Sequence, residues 1–455
     1  MAYWWSGELA VMSYSFQSCT MCNCICSLSI LFLTMNTSLQ IPLVPNGTID
    51  RVKKLSHPGH DWANRPLIDG PQDSGFDWSY ISTSGVQSSP YTFFRDGFLT
   101  TQVSEVFNWE KGVYPMPRGA SVIKRRGEGD PEWDQTAYNM IVVNETASFI
   151  DNHFLTRPDA PFFAYAALGA VHGPHSPPDH YLDGSAVAGM YETAHMDMLL
   201  EMDKSVGSLV AMIEDRGIAN ETIIIFASDN GGVKMGKGSA EYGHDSHGPL
   251  RGAKGEVYEG GHRVPMVFRY DGVFPANETR SQLVGLNDIY STLCELAEVD
   301  VPLNSAQDSN SFANYIMSEN NQEGLSQFMG TWAYTGGHVT SEAMRFGNMK
   351  LIRHEDITAE LYDLSTDLSE SNNLITNSTY DEVKKAMLQQ LRRVGPCPPD
   401  REGRFIMTTG KKAGKKKNCK WFKKNLRRCK AHIVDGELYC NSVCGGRHKW
   451  ACENK

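Results

Sequence analysis

At 455 residues, 41% hydrophobic and 21% charged, the chain has the composition of a globular protein with room for two or three domains, which sets aside a fibrous or wholly disordered polypeptide. The net charge of −10 hides an asymmetry: from Arg401 onward 16 Lys/Arg stand against 4 Asp/Glu, near +12, which leaves the rest near −22. A basic tail on an acidic body has two readings, contact with an anionic partner and a merely solvated tail.

The 11 cysteines gather at the ends. Cys19, Cys22, Cys24 and Cys26 crowd the start, Cys397, Cys419, Cys429, Cys440, Cys444 and Cys452 the tail, and Cys294 lies between. The even tail cluster reads as a disulfide-stapled module made in an oxidising compartment; zinc competes, but the tail has no paired Cys-x-x-Cys. Sequons at Asn36, Asn46, Asn144, Asn220, Asn277 and Asn377 point the same way, to a secreted, extracellular or endomembrane-lumen protein. The early run SLSILFLTM has the length of a signal core but lies late and lacks a basic flank, and it is too short to cross a bilayer. Residues 1–45 are therefore expected to be signal-like or foreign to the mature fold, with no integral membrane span.

Residues 46–130 alternate Gly, Pro, Asp and aromatics and read as loop-rich. Helical spacing of apolar residues predicts a helix from Thr136 to Phe154. PFFAYAALG (161–169) predicts a buried strand, 190–215 an amphipathic helix, and TIIIFAS (222–228) a β-branched buried strand. A further strand is expected at 264–270 and a helix at 287–299 capped by Asn287. FGNMKLIRH and AELYDL read as a hairpin of a smaller sheet, closed by the helix DEVKKAMLQQLRRV. The expected fold is α/β: a mixed, mostly parallel sheet flanked by helices, with polar residues at its carboxyl edge. A smaller C-terminal antiparallel subdomain and a short disulfide-rich tail follow. The expected boundaries are 46–305, 306–395 and 396–455.

Three stretches carry chemistry. Asp229-Asn230, at the end of a strand, are hard oxygen ligands suited to Ca²⁺ or Mg²⁺, and they are equally what a tight turn wants. Lys254, between Gly252 and Gly255, can bring an ammonium up to an anionic oxygen, while Arg251 and Arg263 have the alternative of structural ion pairs. His172 and His175 sit among prolines just after a strand, where a histidine can donate to an ester oxygen or protonate a leaving group.

Together these stretches resemble the sulfatase family of the alkaline-phosphatase-like superfamily. The residues are Ser228-Asp229-Asn230-Gly231-Gly232, Pro249 through Lys254, Glu259-Gly260-Gly261-His262-Arg263-Val264-Pro265, PFFAYAALGAVHGPHSPP, RPLIDGPQDSGFD and KLIRHEDITAELYDLSTDLSESNNL, in order over about 60–390. The resemblance implies hydrolysis of a sulfate ester on a sulfated small molecule or polysaccharide, not a nucleic acid. It implies a formylglycine nucleophile made within Cys-x-Pro-Ser-Arg, and a calcium ion held partly by Asp229 and Asn230. Lys254 matches the sulfate-binding lysine, and His172 or His175 the sulfate-contacting histidine.

No Asp-Asp pair followed by Cys-x-Pro-Ser-Arg occurs in the first 130 residues, nor the family's Gly-Lys-x-His. Lys54 and His57 have the wrong spacing for the latter. Cys397-Pro398-Pro399-Asp400-Arg401 fits only a looser pattern and reads as a disulfide cysteine in a turn. The formylglycine is thus not encoded in these residues. Two readings stay open, a sulfatase whose catalytic front end lies outside this sequence and an inactive relative that binds sulfated glycans. The tail is similar to a small ShK-like secreted cysteine module, suited to anionic matrix.

Overall fold

The structure is a computed structural model. It describes residues 28–34, 66–101, 105–108, 126–233, 242–302, 306–318 and 328–394, apart from short gaps at 68–69, 84, 87–89, 307, 336–337 and 355–357, and the strand pair Phe405–Ile406 and Lys416–Lys417. The terminal cysteine clusters and the sequons at Asn36 and Asn46 lie outside these residues, as does Cys397; Cys294 is buried and unpaired. The chain divides into two compact units, the first containing 21–248 and 260–325, the second 249–259 and 326–455.

In the first unit, β1 (Leu28–Thr34) precedes a small antiparallel ladder of β2 (Tyr80–Ile81), β3 (Phe94–Arg95) and β4 (Phe98–Leu99). A separate pair, β5 (Glu105–Asn108) and β6 (Arg126–Gly129), follows. The loop-rich character of this stretch is what its Gly, Pro and Asp content dictates. Then come α1 (Tyr138–Thr156), β7 (Phe163–Leu168), α2 (Ala194–Asp215), β8 (Thr222–Ala227), one helical turn α3 (Glu259–His262), β9 (Met266–Arg269), α4 (Asp288–Leu296) and α5 (Ala313–Met317).

The main sheet has the order β7-β1-β8-β9. β1 runs antiparallel to both β7 and β8, so β7 and β8 share a direction without touching, and every described pair in this sheet is antiparallel. The run LSILFLT thus supplies a central strand. Strand β8 is apolar from Ile223 to Ala227, as suits a strand with both faces covered. Ile223, Ile225 and Ala227 join Val264, Met266, Ile289, Leu293 and Phe312 on one side. Ile224 joins Ala164, Ala166, Leu168, Ile150, Leu209 and Ile213 on the other. Helices therefore cover both faces, α1 and α2 on one and α4 and α5 on the other.

Two caps show local sequence at work. Thr193 begins α2 and accepts from the Met196 N–H at 3.3 Å. At α4 the side chain of Asn287 makes no cap; the Asp288 carboxylate instead ties the helix start to its flanking chain, accepting from Gly285 N at 2.8 Å and Asn310 N at 2.9 Å.

The second unit is built on a four-stranded antiparallel sheet in sequence order, β10 (Phe328–Thr335), β11 (His338–Phe346), β12 (Met349–His354) and β13 (Ala359–Asp363). The expected hairpin is thus the half of a larger meander. Helix α6 (Asp381–Val394) covers one face, burying Met387 and Leu391 against Met344, Leu351 and Leu361. On the other face Val257 packs with Ala343, Ile352 and Tyr362, which ties the 249–259 segment to this sheet.

Candidate active site

Leu168 pairs with Leu28 and Ala227 with Ser29, so β7 and β8 end at one edge of the main sheet, roughly 10 Å apart across β1. Strand β9 starts at that edge, Met266 opposite Ala227. The loop carrying His172 and His175 and the loop carrying Asp229 and Asn230 both leave from here. That is where an open α/β sheet builds its sites.

Asp229 and Asn230 are half-buried in a bend directly after β8. The Ser228 hydroxyl donates to Asn230 O at 2.9 Å, and the Asn230 amide nitrogen donates to Gly231 O at 2.9 Å, which assigns the other position of that amide to its oxygen. The glycines that follow are required by crowding. A Cβ on Gly231 would lie 2.0 Å from Gly260 O, and one on Gly232 would lie 2.3 Å from Ser246 O. The Asp-Asn-Gly-Gly and Glu-Gly-Gly motifs thus lock together by direct backbone contact.

Beyond β7 the chain is held by a buried amide. Asn139 of α1 accepts from Gly169 N at 2.8 Å and Ala170 N at 3.1 Å, and its own amide nitrogen donates to Glu201 of α2 at 2.9 Å. Glu201 is buried, and burial pushes its carboxyl up to about 8. Gly169 leaves room for the Tyr138 ring, whose Cδ1 would be 2.8 Å from a Cβ there. These contacts aim the histidine loop.

On that loop, His172 Nδ1 lies 2.6 Å from Gly173 O. His175 Nε2 lies 3.3 Å from Nδ1 of His195, the second residue of α2, and the His195 and His244 rings are 5.2 Å apart. Burial, then the charge of His172, lowers His175 to about 4; burial, then His175 and His244, lowers His195 to about 3. Sequence reasoning passed over His195, His244, Asn139 and Glu201. Glu201 left one legible sign, a carboxylate on the apolar stripe of α2 that also buries Met198, Leu209 and Met212.

Lys254 belongs to the second unit. It occupies the second position of a turn closed by Glu256 N to Ala253 O at 2.9 Å, with Gly255 next at φ +87°. That is the geometry of a type II turn, where glycine at the third position avoids a Cβ clash. Arg251 takes the structural option. It donates to Tyr362 Oη at 2.8 Å, Glu370 O at 2.9 Å and Tyr258 Oη at 3.0 Å, and lies 3.4 Å from Glu360. Deeper in this unit, buried Lys350 pairs with buried Glu259 and Glu370, both at 2.8 Å. The 249–259 segment is therefore anchored on either side of Lys254.

Asp229 and Asn230 offer hard oxygens of the kind Ca²⁺ takes. Among the described residues, no group of three or more His, Cys, Asp or Glu is arranged to hold a metal. Two such side chains would supply only a fraction of the six to eight oxygens that Ca²⁺ takes.

The sulfatase family model matches residues 63–299, and the model for the C-terminal part of N-sulphoglucosamine sulphohydrolase matches 253–395. The chain belongs to the sulfatase family. It is 25% identical over 374 residues to an N-acetylgalactosamine-6-O-sulfatase of Bacteroides thetaiotaomicron, covering 73% of this chain and 70% of that protein. A sulfatase of Formosa agariphila is 32% identical over 250 residues, 49% of this chain and 43% of the relative. The N-acetylgalactosamine-6-sulfatase of Sus scrofa is 33% identical over 168 residues, 37% and 30% respectively. The chain thus spans less than half the length of the last two.

A solved structure described under metabolism of multiple glycosaminoglycans by Bacteroides thetaiotaomicron aligns with TM-score 0.59 and 22% identity, over 73% of this chain and 75% of that one. The Ps i-CgsB structure aligns at 0.51 and 21%, over 71% and 66%. At these identities the likeness establishes the alkaline-phosphatase-like α/β fold. Among the described residues, no helix of this sulfatase-family chain is long and apolar enough to cross a membrane.

Proposed function

We propose that this chain is a sulfuric ester hydrolase of the arylsulfatase type, acting on a sulfated small molecule or saccharide at the carboxyl edge of its main sheet. The observation that carries the reading is the interlock of Gly231 with Gly260 and Gly261, which sets Asp229-Asn230 on the edge that also carries the His172 loop. The names of the Bacteroides and porcine relatives favour a sulfated sugar. In this reading Asp229 and Asn230 supply two oxygens to Ca²⁺, which when bound would polarise a sulfate oxygen. His172 or His175 meets the ester, and Lys254, from the resemblance of its segment, neutralises the sulfate. A formylglycine nucleophile would have to come from outside these 455 residues, which hold no Cys-x-Pro-Ser-Arg.

The charge of the tail favours a second reading, retention of sulfated glycans without turnover. A secretory or lumenal location accords with both. The test is aryl sulfate hydrolysis by the protein purified from its source, set against Asp229→Ala and Lys254→Ala. A loss of 100-fold or more in each supports the enzyme reading. Undiminished hydrolysis removes the residue from the site, and no hydrolysis with salt-sensitive retention on sulfated polysaccharide favours the second reading.

A further inference from the structure

Four sequons fall among the described residues, at Asn144, Asn220, Asn277 and Asn377, and each asparagine is exposed. Two of them share a place in the fold. Asn220 lies in the short turn Ala219–Glu221, and Thr222, the third residue of its sequon, opens β8. The six residues of β8 then carry the chain roughly 20 Å to the edge that holds Asp229. Strand β9 runs back the other way, with Met266 opposite Ala227 and Arg269 opposite Ile224. Past β9 the chain turns at the far edge, where Phe274 N donates to Tyr270 O at 3.0 Å and the two rings pack at 5.5 Å. Asn277 follows three residues later, in a turn at φ +58°. Among the described residues, the side chains of Asn220 and Asn277 make no hydrogen bond. Asn377 differs, its Oδ1 accepting from Thr379 N at 3.0 Å. Asn144 differs too, lying within α1 five positions from Asn139, which holds the start of the histidine loop. A positive φ explains an asparagine at 277, and no such reason applies at 220.

We propose that Asn220 and Asn277 carry N-linked glycans, placed on the edge of the main sheet opposite the candidate site. The proposal rests on the secretory or lumenal location and is independent of the sulfate-ester reading. The donor is an oligosaccharide held as a lipid pyrophosphate. Nδ2 of the asparagine forms a bond to the anomeric carbon and gives up one proton, while the carbon–oxygen bond breaks and the pyrophosphate leaves with its electron pair. Both amides are exposed and unbonded, so the folded chain accommodates a bulky hydrated group at each without losing a contact. The edge that carries Asp229 and the histidine loop stays open, because β8 and β9 separate it from both attachment points.

The test is peptide mapping of the full chain purified from its source, after enzymatic release of N-glycans in ¹⁸O-water. Release turns a glycosylated asparagine into ¹⁸O-labelled aspartate and leaves an unmodified one as asparagine. Label at both Asn220 and Asn277 is the expected result. An unlabelled asparagine at either position overturns the proposal, whatever the state of Asn144 and Asn377. A chain without label at any sequon overturns it and removes the secretory location as well, while the sulfate-ester reading is left to its own assay. Asn220→Gln and Asn277→Gln then test the placement. Each should remove one glycan, seen as one step in gel mobility, and leave the affinity for a 6-sulfated N-acetylhexosamine unchanged. A tenfold change in that affinity with either variant would overturn their position away from the site. If a variant chain does not fold, the map of the unaltered chain still decides.

Discussion

Gly231 donates its N–H to the Gly261 carbonyl at 2.9 Å, and a Cβ on Gly231 would lie 2.0 Å from Gly260 O. No side-chain movement relieves that contact, because backbone meets backbone. Gly231→Ala should therefore destabilise the first unit by about 3 kcal/mol in urea titration. Gly207 is the contrast. It lies within α2 with nothing inside 4 Å of a built Cβ, so Gly207→Ala should stabilise by about 0.5–1 kcal/mol. Equal effects at the two positions would contradict the close approach.

The buried groups of the first unit give stability a defined pH profile. Glu201 is raised by burial from 4.5 to about 8, so the folded chain keeps a proton that the unfolded chain releases. Its contribution is complete below pH 4.5 and declines up to about pH 8, at about 1.4 kcal/mol per unit. His175 and His195 act in the opposite sense. Their folded values lie below the ordinary 6.5, so their contribution is complete above 6.5 and declines as pH falls toward 4 and 3. Stability should peak near pH 6.5. Glu201→Gln should flatten the alkaline side in urea titrations at pH 6.5 and 8; an unchanged slope would show that the carboxyl is already ionised.

In the second unit, Lys350 stands between Glu259 and Glu370, and all three are buried. Lys350→Met would leave two carboxylates without their shared cation, at a cost of about 3–5 kcal/mol. The measurement is the chemical denaturation midpoint with this unit's own probe, and a change below about 1 kcal/mol would mean that the ion cluster is not formed.

The turn at Lys254 makes a narrower prediction. Gly255→Ala forces a Cβ into a position with φ +87° and should destabilise the turn by about 1 kcal/mol, with lower affinity for anions at Lys254. Unchanged stability would argue against the type II turn.

Much of the frame was legible in the sequence, for physical reasons. TIIIF reads as a two-face-buried strand because Ile223 to Phe226 are consecutively apolar, and α6 was delimited to the residue because its apolar and charged positions repeat with helical period. The place of SLSILFLT was not legible. A short apolar run has the same composition in a signal segment and in a central strand, and its pairing with β7 and β8 joins residues more than a hundred positions away. His195 and His244 were hidden for the same reason. A single histidine on a helix carries no periodic signal, and its partner is 20 positions away. Asp229, Asn230 and Lys254 stood out because glycine neighbours mark places of close approach.

On the proposed reading, the carboxyl edge of the main sheet binds a sulfate ester through Asp229, Asn230 and the histidine loop. Isothermal titration of a 6-sulfated N-acetylhexosamine into the full chain, with calcium and with chelator, tests it most directly. Calcium should strengthen the binding, and Asp229→Ala and His172→Ala should each weaken it by at least tenfold. Binding that ignores calcium and survives both substitutions would contradict it.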